Sequence, residues 1–338
     1  MGSGLKGLVA ALVSAASLAA HAIATQWTVV NLTPEGMGIA TAISQNGVVT
    51  GCRDTNGNTT QAFVYSNGSR RDLAAPAGSA SCGLAVNNSG VVAGRIDGEL
   101  TLWAQDGNAR DLGAKGNATG ISDGGVVVGS MGADFATRRA FMWSNGTFTD
   151  LGVVGEAIGI NARNQIAIID NTGHLFMWES GAVRKLGDTT VTNAYGFNDR
   201  GEIVGMASFG HGPAPFIYDG AAVREIPGGG SFAGAVAINN VGQALGSGEG
   251  VYGYLIENGT SARLDVLAAN SGVTTLHHSE GKSINDRGWI VGQNGSPDFN
   301  AFLMMPKDVS TPVASTPSSN PVLRSASRTT ALIRAARL

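Results

Sequence analysis

Residues Ala42–Gly51 read AISQNGVVTG, and the pattern returns as AVNNSGVVAG (85–94), GISDGGVVVG (120–129) and GINARNQIAI (159–168). It continues as GFNDRGEIVG (196–205), AINNVGQALG (237–246) and SINDRGWIVG (283–292). Each copy runs from an aliphatic residue through Asn or Ser into a turn. The turn glycine is Gly47, Gly90, Gly125, Gly201, Gly242 or Gly288, with Asn164 in that place in the fourth copy. Copies are spaced by 35 to 46 residues. A fixed period of this size marks one supersecondary unit repeated along the chain.

A second string follows in each unit: QAFVYSNG (61–68), RAFMWSNG (139–146), HLFMWESG (174–181), APFIYDG (214–220) and YGYLIENG (252–259). The second unit has the looser ELTLWAQDG (99–107) and the seventh has NAFLMM (300–305). A short third string, such as RDL (71–73), RDLG (110–113) or TDLG (149–152), comes next. Each unit therefore reads as four short strands with a turn between each pair. The pattern predicts an all-β fold, a seven-bladed β-propeller with four strands per blade. Helical solenoids are excluded, because no unit spaces its apolar residues at 3.6. The seventh unit ends at Met305-Pro306 without a fourth strand, while WTVVNL (27–32) stands unpartnered near the N-terminus. That strand is expected to complete the last blade and close the ring, leaving no free edge there.

Composition agrees with a chain rich in tight turns. Gly accounts for 50 of 338 residues and only 14% are charged, while 43% are hydrophobic, enough to bury a core. Both ends differ from the repeats. Residues 1–24 read as a secretory signal peptide: Lys6, an apolar run through Ala20, then small residues offering cleavage after Ala22 or Ala24. The run falls short of the ~20 residues of a spanning helix, and no later segment is long enough. The chain is accordingly expected to be exported, to the periplasm, the cell surface or beyond. Residues 307–338 form a Ser/Thr/Pro-rich tail with Arg324, Arg328, Arg334 and Arg337 near its end, a composition unable to bury a core. The repeat body, 25–306, keeps 16 of the 22 basic and 24 of the 25 acidic residues, a net charge of −8. Nucleic acid is excluded as the expected partner on that charge.

The pairing of AxxINxxGxVVG with AFxWxxG and a following DLG resembles the bacterial extracellular HAF repeats, named for His-Ala-Phe at the start of the third strand. The resemblance covers about residues 27–305. It implies a secreted or surface protein and brings no catalytic residues with it. The naming His is Gln61, Arg139 and Asn300 in three units.

The turns between strands one and two and between three and four are short and alike, which is a structural role for Asn and Gly. Loops between strands two and three, and between units, differ from copy to copy and share the opposite rim. Binding residues favour variable loops on a rigid scaffold. The rim candidates are Arg53, Asp54, Asn56 and Asn58; Asp134, Phe135, Arg138 and Arg139; Phe209 and His211; and Asp298, Phe299 and Asn300. Aromatic side chains mixed with Asn, Asp and Arg suit a carbohydrate, through stacking and bidentate hydrogen bonds. The expected function is a binding module for a glycan or a cell-surface protein. The alternative is a polysaccharide- or polymer-degrading hydrolase or lyase with acids on the same rim.

Other motifs carry less. Gly120-Ile121-Ser122-Asp123-Gly124 matches the G-x-S-x-G of α/β-hydrolases but occupies the hairpin position of Asn87 and Asn239. Gly248–Gly253 matches G-x-G-x-x-G but precedes a strand, so no nucleotide site is expected. His277, His278 and Glu280 are metal-ligand types, yet adjacent residues in an extended segment point opposite ways, and no metal or other cofactor is expected. Asp72, Asp111, Asp150 and Glu225 share one register and read as surface strand residues. Third-strand aromatics such as Phe63, Phe141 and Phe216 read as core. Cys52 and Cys82, in neighbouring units of an exported chain, are expected to form a disulfide.

Overall fold

The computed structural model describes residues 26–55, 59–132, 134, 136–227, 232–248, 252–269, 271 and 276–307. The expected leader, and the expected tail beyond Lys307, lie outside these residues. The fold is all-β, and every strand pairing is antiparallel. After β1 (Trp27–Asn31), the first repeat forms β2 (Gly38–Ile43), β3 (Val49–Asp54), β4 (Thr60–Ser66) and β5 (Ser69–Asp72). The second forms β6 (Ser81–Val86), β7 (Val92–Ile96) and β8 (Glu99–Trp103), and the third β10 (Val127–Met131) and β11 (Arg139–Ser144). Between them β9 (Ala109–Ile121) serves as the last strand of one and the first of the other. β12 (Thr147–Ile160) does the same for the third and fourth, which adds β13 (Ile166–Asp170), β14 (His174–Glu179) and β15 (Ala182–Thr190). These two long strands join three repeats into one ten-stranded sheet.

The remaining repeats make separate four-stranded sheets. One holds β16 (Asn193–Phe197), β17 (Ile203–Phe209), β18 (Gly212–Tyr218) and β19 (Val223–Glu225). The next holds β20 (Phe232–Ile238), β21 (Ala244–Gly248), β22 (Gly253–Glu257) and β23 (Thr260–Arg263), followed by the short helix α1 (Leu264–Ala268). The last holds β24 (Glu280–Ile284), β25 (Ile290–Gln293) and β26 (Ala301–Pro306), with β1 beside β26, Trp27 opposite Pro306 and Asn31 opposite Phe302. No sheet among the described residues closes on itself.

Turn chemistry follows the sequence closely. Between third and fourth strands, Asn67-Gly68, Asn145-Gly146 and Asn258-Gly259 all have positive φ, the I′ geometry that matches strand twist. Asn164 replaces the recurrent turn glycine at φ 58°, a conformation Asn tolerates better than most residues.

Sheets are apolar on both faces, so neighbours bury side chains against each other. The core divides into clusters, each shared by two successive repeats. Ala85, Leu100, Val127, Phe141 and Trp143 join the second to the third, and Val204, Ala235, Ile238 and Ile256 the fifth to the sixth. Ala40, Val49 and Phe63 of the first repeat share a cluster with Val291, Ala301 and Leu303 of the seventh. Phe63, Phe141, Phe216 and Phe302 are fully buried, as the third-strand pattern predicts. Each adds about 1.5–3 kcal/mol of burial. The fourth repeat departs from that pattern: Leu175 and Met177 are buried while Phe176 and Trp178 are half-buried. With an apolar neighbour on each side, either face of the strand can carry the larger share.

Candidate functional site

The first strand of every repeat is bulged at one shared position, and β20 carries a second irregularity between Phe232 and Gly234. In the first sheet Ala40 pairs with Gly51 and Ala42 with Thr50, leaving Thr41 with no residue opposite. The same irregularity leaves out Leu84, Thr119, Ile158, Tyr195, Val236 and Lys282. The glycine that ends the VVxG motif makes it possible. A Cβ on Gly51, Gly94, Gly129, Gly205 or Gly292 would overlap a first-strand carbonyl oxygen, that of Ile39, Cys82, Asn117, Asn193 or Glu280 respectively. The fourth repeat has Ile168 in that place, and there the close approach is made by Gly155 against the Ile169 carbonyl. A bulge re-aims the side chain it leaves unpaired.

All seven bulge residues line one cavity of about 610 Å³. Further along each first strand the wall is aliphatic or aromatic (Ile43, Val86, Ile121, Ile160, Phe197, Ile238, Ile284), and the cavity ends at the turns that follow. Tyr195 is the aromatic member of the bulge row and stays 48% exposed. Desolvation raises its hydroxyl above the ordinary phenol range. Lys282 is the cationic member, with Nζ 2.6 Å from Glu280. Thr41 and Thr119 each donate to the first strand of the next repeat, at Gly83 O and Ala157 O, both at 2.7 Å.

The turns beside this cavity are laced together. Asn87, Asn161, Asn198, Asn239 and Asn285 are buried, and each donates Nδ2 to a carbonyl at the start of the next repeat's turn. The acceptor for Asn285 is Ser44 O, at 3.1 Å, so the last copy is bonded to the first. Asn239 Oδ1 also accepts from Val241 N and Gln243 N within its own turn. A second row lies one residue further on. Asp123 accepts both Asn88 N and Asn88 Nδ2 at 2.9 Å, and Asp199 accepts Ala162 N and Asn240 Nδ2 at 2.7 Å. Asn240 N and Nδ2 both donate to Asp286, whose own N–H donates to Gln45 Oε1.

The rim residues singled out by sequence are distributed differently. None of those among the described residues lines the large cavity. Arg53 pairs with Asp72 at 2.6 Å and Glu35 at 3.5 Å. Arg53 and Asp54 border a separate cleft of about 330 Å³ with Met37, Thr59, Thr60 and Gln293. Arg138 pairs with Glu156 and Arg139 with Asp150. Phe209 stacks on His211, which contacts Glu225 at 2.8 Å. Phe299 is exposed at φ 48°, its carbonyl taking the Gly38 N–H, while Asn300 is buried. Asp134 and Asp298 are exposed. Asn56, Asn58 and Phe135 lie outside the described residues. Arg53 and Arg139 are thus held by the fourth-strand acids Asp72 and Asp150 of their own repeats, whereas Arg138 reaches Glu156 on the first strand of the next repeat.

His277 and His278 take separate partners, His277 N donating to Asn294 Oδ1 and His278 Nε2 meeting the Tyr252 hydroxyl at 2.9 Å. Ser122 Oγ accepts Val126 N inside its hairpin. Cys52 and Cys82 are joined by a disulfide. Among the described residues, no group of three metal-ligating side chains occurs and no helix is long and apolar enough to cross a membrane.

Sequence reasoning passed over the bulge row. Its signal is present all the same: within [AG]-x-[AGS]-[IVF]-[NS], the flanking positions repeat by type while x runs Thr, Leu, Thr, Ile, Tyr, Val, Lys. A free position inside a fixed pattern marks a side chain that the scaffold itself does not specify.

No protein-family model matches the chain, and no curated protein sequence matches it. Among solved structures it is similar to YCF48 bound to D1 peptide, at 14% identity and TM-score 0.54, over 83% of this chain and 97% of that one. It is also similar to the β-propeller domain of the Trilobed protease from Pyrococcus furiosus, at 10% identity and TM-score 0.54, over 87% and 99% of the two chains. A third similarity is to Pyrococcus horikoshii acylaminoacyl peptidase, at 13% identity and TM-score 0.53, over 81% of this chain and 52% of that one. The chain therefore spans about half of that peptidase. At such identities the likeness is one of fold, and the fold is of the β-propeller kind.

Proposed function

We propose that this chain is an exported binding module, a seven-bladed propeller whose last blade is completed by β1, and that its ligand sits in the cavity ringed by the bulge residues. The observation that carries the reading is that all seven repeats place one residue of variable type on the wall of the same 610 Å³ space. That volume lies in the ordinary range of ligand sites, and a rigid scaffold presenting varied side chains is how such sites are built. The ring closure is supported by the β1–β26 pairing, the Asn285–Ser44 bond and the core shared by the first and seventh repeats. The partner is a glycan or a surface protein; a propeller solved with a bound peptide gives the fold a precedent for the latter. Export rests on the leader-like residues 1–24, and kinship with the HAF repeats on the seven motif copies.

The test exposes the purified chain to pooled cell-envelope polysaccharides and to peptides, scoring retention and released products together by mass spectrometry. Retention that Tyr195→Ala weakens about tenfold, and that Phe299→Ala leaves unchanged, is the expected result. Loss on Phe299→Ala alone would move the site to the variable-loop rim. Release of smaller products would replace the binding module with a degrading enzyme.

A further inference from the structure

Within the bulge row, five residues are threonine or aliphatic, one is a lysine already paired with Glu280, and one, Tyr195, is an aromatic ring left half in the open. The hydrogen-bonding groups around it are unequally committed. Both Nδ2 protons of Asn161 go to Gln165 Oε1 and Asn198 O, and both of Asn198 to Glu202 Oε2 and Asn239 O. Those of Asn239 and Asn240 are spent in the same way. The carboxylates of Asp123 and Asp199 have taken one bond at each oxygen and keep a further lone pair on each. Asp199 follows Tyr195 by four residues in the same repeat, and both line the cavity. The lining of this one cavity therefore includes both an aromatic ring and acceptors that are fixed in place and keep unused lone pairs.

From this we infer that the cavity takes a neutral glycan, one sugar ring stacking on Tyr195 while its hydroxyls donate to the Asp199 carboxylate; the inference rests on the proposal that the cavity is the binding site. A sugar is apolar on one face and donor-rich at its edge, which matches both features at once. A purely apolar ligand would leave the spare lone pairs of these carboxylates unused, and an anionic one would be set against their charge.

The full-length chain is probed on an array of neutral oligosaccharides and of peptides, and the strongest binder is titrated by calorimetry. Binding of an oligosaccharide is expected, weakened about tenfold or more by Tyr195→Leu and held within about threefold by Tyr195→Phe, which keeps the ring. Asp199→Asn is expected to weaken it too, with the thermal midpoint of every variant recorded to show that folding is intact. Failure of every oligosaccharide to bind, or binding that survives Tyr195→Leu, overturns the inference. If a peptide binds and depends on Tyr195, the cavity stands as the site and the glycan class falls. If a sugar binds but is lost only on Phe299→Ala, both this inference and the placement of the site fail together.

Discussion

Gly129 stands opposite the bulge at Thr119, where a methyl group would overlap the Asn117 carbonyl oxygen. Gly129→Ala is therefore expected to destabilise the fold by about 3 kcal/mol, measured by urea unfolding, because one strand must shift against the next. Gly68 is the contrast, since a Cβ there meets nothing and only its φ of +80° opposes a side chain. Gly68→Ala should cost about 1 kcal/mol. Equal losses at the two sites would mean that the close approach to the Asn117 carbonyl costs no more than an ordinary turn glycine does. The glycines of both motifs are visible in the sequence, but their reasons differ. One is local and readable from a turn pattern; the other depends on a neighbouring strand's carbonyl.

At the scale of strands and turns, carboxylates on the fourth strands and in the turns are held ionised by fixed partners. A hydrogen bond from Arg53 lowers the Asp72 pKa, and one from Arg139 lowers that of Asp150. Asp219 is brought down to about 2 by the Ala222 and Ala221 backbone N–H groups and by Arg224. Carboxyls whose folded pKa is depressed add stability that is complete above the unfolded pKa, about 3.9 for Asp, and is lost as pH falls through the folded one. The thermal midpoint should thus stay level from about pH 7 to 5 and drop between about pH 4 and 2. Asp219→Asn should make the low-pH part of that drop shallower. A midpoint that holds level down to pH 2 would show that these pairs add nothing to the folded state. All these groups are substantially exposed, so each pair contributes modestly and the drop is their sum.

For the molecule as a whole, stability resides in the contacts between successive repeats. The joint between the first and second repeats differs from the next two. β9 and β12 carry one continuous strand across those later joints, whereas the chain from Leu73 to Ala80 crosses the first without a strand. There the Cys52–Cys82 disulfide supplies the tie, across a sequence separation of 30. Closing a loop of that length is worth about 3 kcal/mol through the unfolded state. Reduction, or the double change Cys52→Ser with Cys82→Ser, should lower unfolding stability by about that amount while leaving the far-UV spectrum β-like. An unchanged midpoint under reductant would mean that the Ala62, Val64, Val86, Val92 and Trp103 cluster alone holds the joint.

The strand count of each repeat, the turn types and the buried third-strand phenylalanines of the first, third, fifth and seventh repeats are legible in the sequence, because these depend on spacings of two to ten residues within one unit. The sequence also placed Cys52 and Cys82 in neighbouring units. Tertiary structure decided where the chemistry gathers. The rim cations lie close in sequence to nothing that would identify their partners, yet folding sets Arg53 beside Asp72 and Arg138 beside Glu156. The Asn and Asp of the short turns look purely local until the fold brings seven turns together and passes their hydrogen bonds from one repeat to the next. Tyr195 and Lys282 are 87 residues apart in the chain and reach the same cavity only because each repeat bulges at the same place. A bulge arises from one strand's register against another, and register between strands is a property of the assembled sheet rather than of any single segment.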